Sequence, residues 1–434
     1  MAFLDKLCEE DDPTVERSLY NEYWYVMYIL GLYLKLNTPK WRLLSGVQFF
    51  ASCSLMMYFA IIMIITAVKL KENMMGMCQG LHYAILLFLV AAMAFSLNMC
   101  RPSMARIHRG IGTGLSEYDM ETEKHRAPLR QRIRNYQILL IKLYCIYTIV
   151  AIIFLGIIAI LSENADESEN ELYIENGISL DVPIPQWSPF STDTTLKFLL
   201  AITLQALVCT DVALKNCGFN VVNMTVSLNI VLELDLLIIS LDRLPQRALI
   251  MYQERHGQES SSKVDMNRIR EDKDLAKCYA DCLKQNVQHH QRIIQMFNDL
   301  STLVTDQMFR ALSTGAFYTA ISGALIMFAQ GSIAERVASA AFCFAEITNI
   351  FLHCWCAEQI TDGSVRLSRA LYSTNWILID KENARIVLIM LTRANLPLVM
   401  TGKNLVKINF ETFANIMNSA YSFFNLLNAV EEQK

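Results

Sequence analysis

The chain has 434 residues, of which 53% are apolar and only 18% charged, and its formal net charge is −4; mean hydropathy is +0.28. A soluble protein of this size carries about a quarter charged residues, so the shortfall argues against a cytosolic multidomain enzyme, and the slight acidity leaves no nucleic-acid footprint. Sixteen Gly and nine Pro are too few for a collagenous or low-complexity chain, and a polytopic membrane protein remains.

The 12 cysteines sit mostly inside apolar runs, as Cys53, Cys100, Cys145, Cys209, Cys343, Cys354 and Cys356 do. A secreted disulfide framework would place them in short polar loops. The N-terminus opens acidic (Asp5, Glu9, Glu10, Asp11, Asp12) with no apolar region behind it, so no cleavable signal peptide is expected.

Taken in order, residues 1–42 form an N-terminal segment. Its aromatic-rich part, Tyr20–Leu36, is short for a span and reads as an interfacial or re-entrant helix. A bilayer core of about 30 Å takes roughly 20 apolar residues as helix. Leu43–Val68, Met77–Met99 and Tyr136–Leu161 fit, and Leu196–Leu241 holds a fourth span with a helical continuation; residues 43–241 thus carry helices one to four. Residues 242–302 form a loop and a helix extension. Leu303–Ala329 and Ile333–Ala357 are the fifth and sixth spans (303–357), joined by a tight turn at Gln330, Gly331 and Ser332. Residues 358–404 mix helical periodicity with Arg366, Arg369, Lys381, Arg385 and Arg393, and read as helices packed below the membrane. Residues 405–434 supply a seventh, unusually polar span, Leu405–Val430.

The loops orient the chain. Cys100–Asn135 carries eight Lys or Arg, whereas Ser162–Leu196 carries none and holds eight Asp or Glu. Basic loops stay cytoplasmic, which puts the N-terminus inside and the C-terminus outside. The ten Lys or Arg of Asp242–Arg292 agree independently, since that segment then also lies inside. The expected fold class is all-α: seven transmembrane helices with a cytoplasmic N-terminus and an intracellular helical anchor bundle. That topology, and the lack of Asp-Arg-Tyr and Asn-Pro-x-x-Tyr motifs, sets the chain apart from G-protein-coupled receptors.

The last span is the most informative. Glu411, Asn415, Asn418, Ser422, Asn425 and Ala429 step by four and three residues, which at 3.6 residues per turn gathers them into a stripe about 80° wide. Polar residues inside a membrane face water or one another. The stripe therefore reads either as interhelical hydrogen bonding or as the wall of a water-filled pore. One helix encloses nothing, so the pore reading requires an oligomer. Acidic groups at its ends, Glu411, Glu431 and Glu432, favour cations.

Other signals are weaker. Cys278 and Cys282 followed by His289 and His290 lack a standard zinc spacing. Asp211, alone in the fourth span, has Lys215 one turn on as an ion-pair partner. No phosphate loop, catalytic carboxylate pair or nucleophile elbow is visible, so neither an enzyme nor a cofactor or metal site is expected.

The C-terminal run resembles the insect odorant receptor family. It carries Ala370-Leu-Tyr372-Ser-Thr-Asn-Trp376, then Leu391-Thr-Arg-Ala-Asn-Leu-Pro397-Leu-Val-Met-Thr401-Gly, then Phe410-Glu-Thr-Phe413, then Ala420-Tyr421-Ser422-Phe423-Phe424. Motif support spans about the last eighth of the chain. Length, topology, the acidic outer loop and the extended inner helices agree over the rest.

The resemblance implies an odorant-gated, non-selective cation channel in the plasma membrane of a sensory neuron dendrite. It implies a heterotetramer in which a variable odorant-binding subunit joins a shared coreceptor, with membrane lipid and a small volatile odorant as the other partners. The coreceptor carries an extra stretch in its second inner loop. Here Asp242–Arg292 is short, which implies a tuning subunit. The outer gate falls on Leu426, Ala429 and Val430, although Asn425 and Asn428 depart from the apolar or basic residues common there. The family's pocket lies in the outer half of the membrane, and the candidate lining is His82, Tyr83, Leu86, Phe154, Ile157, Leu199, Thr203, Phe317, Phe328 and Phe342. His82 and Thr203 are its polar handles. The alternatives are a gustatory receptor channel of the same superfamily, an inverted seven-helix receptor without a pore, and a secondary transporter, for which no inverted repeat or Pro-broken central helix is seen.

Overall fold

The computed structural model describes residues 39–71, 73–161, 175–179, 182, 184–190, 194–256, 272–328, 333–374 and 379–431. In chain order these form α1 (Pro39–Lys69), α2 (Met74–Met99), α3 (Arg101–Thr113), α4 (Met120–Glu123), α5 (Arg126–Leu161), β1 (Ile178–Ser179) and β2 (Gln186–Trp187). There follow α6 (Thr195–Asp242), α7 (Leu244–His256), α8 (Lys273–Phe328), α9 (Ile333–Ser373), α10 (Lys381–Ala394), β3 (Thr401–Gly402), β4 (Val406–Lys407) and α11 (Phe410–Glu431).

Helix dominates as expected, with two short antiparallel hairpins added. Among the described residues, four stretches are long and apolar enough to cross a membrane: Gly46–Lys69, Gly76–Met99, one within Thr195–Asp242 and one within Ser339–Ser373. The expected helix at Tyr20–Leu36 and the turn at Gln330, Gly331 and Ser332 lie outside the described residues. Two expected boundaries fall inside single helices, since α8 runs unbroken through 303 and α9 through 358.

The last helix starts later than Leu405. Lys403 and Asn404 have φ of 51° and 57°, a left-handed pair that makes a tight turn, and Thr401 pairs with Lys407 across it. Asn409 then caps α11, its Oδ1 accepting the Thr412 N–H at 2.8 Å, as short polar side chains do at helix starts.

Helices α6, α8 and α9 have 48, 56 and 41 residues. At about 1.5 Å per residue each is roughly 60–85 Å long, twice or more the bilayer core of about 30 Å. One end of the molecule therefore stands clear of any membrane that the apolar halves cross. At the other end the β1–β2 hairpin lies on α1. There the Trp187 N–H donates to Thr66 Oγ1 at 2.9 Å, and the Gln205 amide on α6 both accepts from the Ile184 N–H and donates to its carbonyl.

The core is built around α6, which packs on α5, α8 and α9. Its buried face is not purely apolar, and each polar residue selects a neighbour. Asn220 donates to Tyr144 Oη of α5 at 2.6 Å and to Asn349 Oδ1 of α9 at 2.8 Å. Gln137 of α5 donates to Thr225 Oγ1 at 2.6 Å. Asn223 meets His353 of α9 at 3.4 Å. Lys215 pairs with Asp211 and with Ser52 of α1. Small residues set the closest approaches: a Cβ on Gly315 of α8 would collide with the Ile350 side chain of α9.

At the long end a charge network ties the elements together. Glu233 of α6, only 4% exposed, is bonded by Arg126 Nη1 and by His289 Nε2, the latter at 3.0 Å. Tyr118 Oη meets His289 Nδ1 at 2.7 Å. Burial pushes His289 below its ordinary range, so Nε2–H donates to the carboxylate and the Tyr118 hydroxyl donates to Nδ1. Arg247 lies 4.5 Å from the Tyr118 ring centre and joins Arg243 in binding Asp119, which caps α4. His289 is thus spoken for by Glu233 and Tyr118, while Cys278 and Cys282 are buried facing α7.

Two predictions follow from this packing. Glu233→Ala removes the buried carboxylate that Arg126 and His289 share and leaves Arg126 with Glu123 and the Ser116 carbonyl, and breaking a buried pair costs about 3–5 kcal/mol. The variant should unfold at clearly lower temperature in detergent, and Arg126→Met with Glu233→Leu should recover most of the loss.

His108 and His290 are buried, and burial lowers their pKa to about 3 and about 4. Below the unfolded value of about 6.5 the unfolded chain takes up protons that the folded chain cannot. Stability should therefore fall as pH drops from 7.5 to 5.5, by about 1 kcal/mol for each group. His290→Asn should flatten the pH dependence of the unfolding temperature.

Candidate ligand pocket and pore helix

His82, on α2, is 4% exposed, and its ring lies 4.7 Å from that of Tyr318 on α8 and 5.8 Å from that of Tyr83. Tyr83 and Leu86 are partly buried against the main core. His82 is thus in ring contact with Tyr83 of its own helix and with Tyr318 of α8. The α2 helix reaches this point through a close approach, since a Cβ on Gly80 would sit 3.0 Å from Ala67 of α1.

Other expected lining residues are elsewhere. Leu199 is 54% exposed and Thr203 is also exposed, its hydroxyl donating to the Leu199 carbonyl at 2.7 Å. Both lie on the outward face of α6 with Leu207, whereas Ala201, Gln205 and Val208 form its buried face. The helical period puts these two rows on opposite sides, so Thr203 is not a polar handle. Phe317 turns toward α11, its ring 6.2 Å from that of Phe423. The side chains of Phe154, Ile157, Phe328 and Phe342 lie outside the described set.

The structure adds residues that the sequence reading passed over. Tyr318 is 2% and Ser322 1% exposed. Among the described residues neither hydroxyl meets a hydrogen-bond partner, and the two lie one turn apart on α8. Facing α8, Cys343 Sγ of α9 lies 3.9 Å from the Thr319 carbonyl. Three residues on is Glu346, half-buried on the same side of α9. The signal was legible: an acid in the middle of an apolar span.

Helix α11 packs on α8 and α9. Ile416 and Ala420 are buried there, Phe413 and Met417 partly so, and Phe351 stacks on Phe410 at 5.9 Å and meets Phe413 edge-on at 5.7 Å. A Cβ on Gly323 would touch Phe424 at 3.4 Å. Glu411, Asn415, Asn418, Ser422 and Asn425 all lie on the opposite, exposed face, with Leu426 and Ala429 beside them; the side chain of Val430 lies outside the described set. Ser422 donates to the Asn418 carbonyl at 2.9 Å, which leaves the amides of the stripe as its outward-facing polar groups.

A strap fixes this helix. The Leu398 N–H donates to Ser364 Oγ at 3.0 Å, and Thr361 Oγ1 donates to the Leu398 carbonyl at 3.0 Å, so the segment after Pro397 lies along α9. Thr305 of α8 donates to the Thr401 carbonyl at 2.9 Å and accepts the Lys403 N–H at 2.8 Å. A Cβ on Gly402 would lie 3.1 Å from the backbone of Phe309, so only glycine lets the hairpin sit this close to α8. Tyr372 and Tyr421 are exposed in the single chain, and Trp376 lies outside the described residues.

Residues 69–421 match the family model described as 7tm Odorant receptor. Odorant receptor 10 of Aedes albopictus is 32% identical over 145 residues, 33% of this chain and 38% of that protein. Odorant receptor Or2 of Anopheles gambiae is 26% identical over 149 residues, 34% of this chain and 39% of that one. These matches thus span well under half of each relative's length. The solved structure of the insect olfactory receptor OR5 from Machilis hrabei in complex with eugenol shares the fold. Its TM-score is 0.72 at 12% identity, covering 96% of this chain and all of that one. With the family model matching most of the chain and the whole fold superposing, this membrane protein belongs to the insect odorant receptor family.

Proposed function

We propose that the chain is the odorant-binding subunit of a ligand-gated, non-selective cation channel. In this reading seven helices (α1, α2, α5, α6, α8, α9 and α11) cross the plasma membrane of a sensory neuron dendrite, with the N-terminus cytoplasmic. The long ends of α6, α8 and α9, together with α7 and α10, form the intracellular anchor bundle. The pore is built by α11 from four subunits, with a coreceptor supplying the partner chains.

The observation that carries the reading is the orientation of α11. Its apolar residues Phe413, Ile416 and Ala420 face the chain's own helices, and its amide stripe from Asn415 to Asn425 faces away. Had interhelical hydrogen bonding within the chain been the purpose of the stripe, it would face α8 and α9. A polar stripe turned outward at membrane depth needs water or other copies beside it. Short Asp242–Arg292 favours the tuning role. The likeness to a receptor solved with eugenol supports a small organic ligand, and the His82–Tyr318 cluster is where it would bind. Rings around a deep site give such a ligand apolar burial, with a few polar groups to orient it. The ligand gates only if it binds the open form more tightly.

Cells expressing the chain with an insect coreceptor should show an odorant-dependent cation current that is absent from cells expressing either chain alone. Asn418→Cys should make that current sensitive to a charged, membrane-impermeant thiol reagent, while Ile416→Cys and the wild-type chain should not be blocked. Equal block of both cysteine variants, or of neither, would remove α11 from the pore.

A further inference from the structure

Glu346 stands on the face of α9 that also holds Cys343, Asn349, Ile350 and His353, spaced by three and four residues. Each of those neighbours is in contact with an inner helix: Cys343 with Thr319, Asn349 with Asn220, Ile350 with Gly315, and His353 with Asn223. Because α8 and α9 run antiparallel, with Gly315 level with Ile350 and Thr319 level with Cys343, Glu346 lies at the level of Tyr318. Tyr144 of α5 reaches the same layer, because Asn220 donates both to its Oη and to Asn349, which stands one turn from Glu346 on α9. Among the described residues no basic side chain pairs with it. Beside it Tyr318 and Ser322 hold buried hydroxyls that meet no hydrogen-bond partner there.

A solitary carboxyl in the layer of Tyr144 and Tyr318 is unsuited to a purely hydrocarbon ligand. Desolvation penalises an unpaired acid, and nothing in the packing of α9 requires one. The same set suits an ammonium group. Opposite charges attract more strongly where the dielectric is low, and aromatic faces attract cations. The two open hydroxyls can accept N–H bonds that the carboxylate leaves over.

We propose that Glu346 makes this pocket an amine site, and that the ligand class of the chain is a small, largely apolar compound with one basic nitrogen. The proposal rests on the reading of the pocket as the odorant site. The nitrogen binds between the Glu346 carboxylate and the rings of Tyr144 and Tyr318, and the apolar remainder lies toward His82. The proton balance closes for either form of the partners: a protonated amine meets the carboxylate, or a neutral amine takes the proton of the neutral acid, and both give the same ion pair.

The test compares isosteres on cells that carry the chain and a coreceptor at the surface. The probes are 2-phenylethylamine, 2-phenylethanol and ethylbenzene, with pentylamine, pentanol and hexane as an aliphatic set. The amines should open the current at concentrations at least about tenfold below their alcohols, a factor worth about 1.4 kcal/mol. Glu346→Gln should abolish that advantage while the alcohol responses persist, and Glu346→Asp should retain part of it. Tyr318→Phe, which keeps the ring and removes the hydroxyl, should weaken amines several-fold and serves if Glu346→Gln does not reach the surface. Alcohols or hydrocarbons acting as well as amines, or an amine potency unchanged in Glu346→Gln, would overturn the amine assignment and leave the channel reading standing. No current with any probe from a surface-expressed pair would count against both.

Discussion

The structure depends on one constraint: polar groups buried between long helices must find partners on neighbouring helices, because no water reaches them. Helix α6 carries most of these groups. Apolar packing alone lets helices slide and rotate past one another, since Leu and Ile surfaces are nearly interchangeable. A buried amide does not permit that freedom. The Asn220 amide N–H groups find acceptors only when Tyr144 and Asn349 stand where they do, and that of Gln137 only when Thr225 is opposite. Glu233 then fixes the far end by holding Arg126 and His289 together. Three levels of pairing along one 48-residue helix set the register of α5, α8 and α9.

That register in turn places both candidate sites. With α8 and α9 locked, their shared surface receives α11 through Phe351, Phe413 and Ile416. The strap after Pro397 and the hairpin at Thr401–Gly402 fix the approach to it. The polar stripe is consequently turned outward by the strap and by its own apolar face together. On the other side of α8, the same helix brings Tyr318 to His82. A single element thus touches the His82 cluster on one face and α11 on another, and Phe317 and Tyr318, adjacent in sequence, point one to each. This adjacency links the surroundings of His82 to α11 through one turn of α8.

Much of this was readable from residue order. Apolar runs of span length located the long helices, and the steps of four and three from Glu411 to Asn425 predicted a one-sided helix, which its exposed face matches. Lys215 four residues after Asp211 announced their pair. The failures have specific causes. Thr203 and Leu199 were assigned inward because in a uniformly apolar span periodicity does not mark the buried side; the Gln205 bonds to Ile184, made with a distant hairpin, decide it. Leu405 was counted as helix because the left-handed pair Lys403–Asn404 leaves no Gly or Pro at the turn itself to signal it.

By itself, then, the amino-acid sequence determined which segments are helices, how apolar each one is, and which face of α11 is polar, because these depend on composition and on a local period of 3.6 residues. Only the tertiary structure decided which faces meet. It brought Glu346, Tyr144 and Tyr318 from three helices to one level, and joined Arg126, Glu233 and His289, separated by 107 and 56 positions. Local sequence carries no record of such distant encounters. They arise from the packing of close-approach glycines and from the requirement that buried polar groups be paired, and both are properties of the assembled bundle.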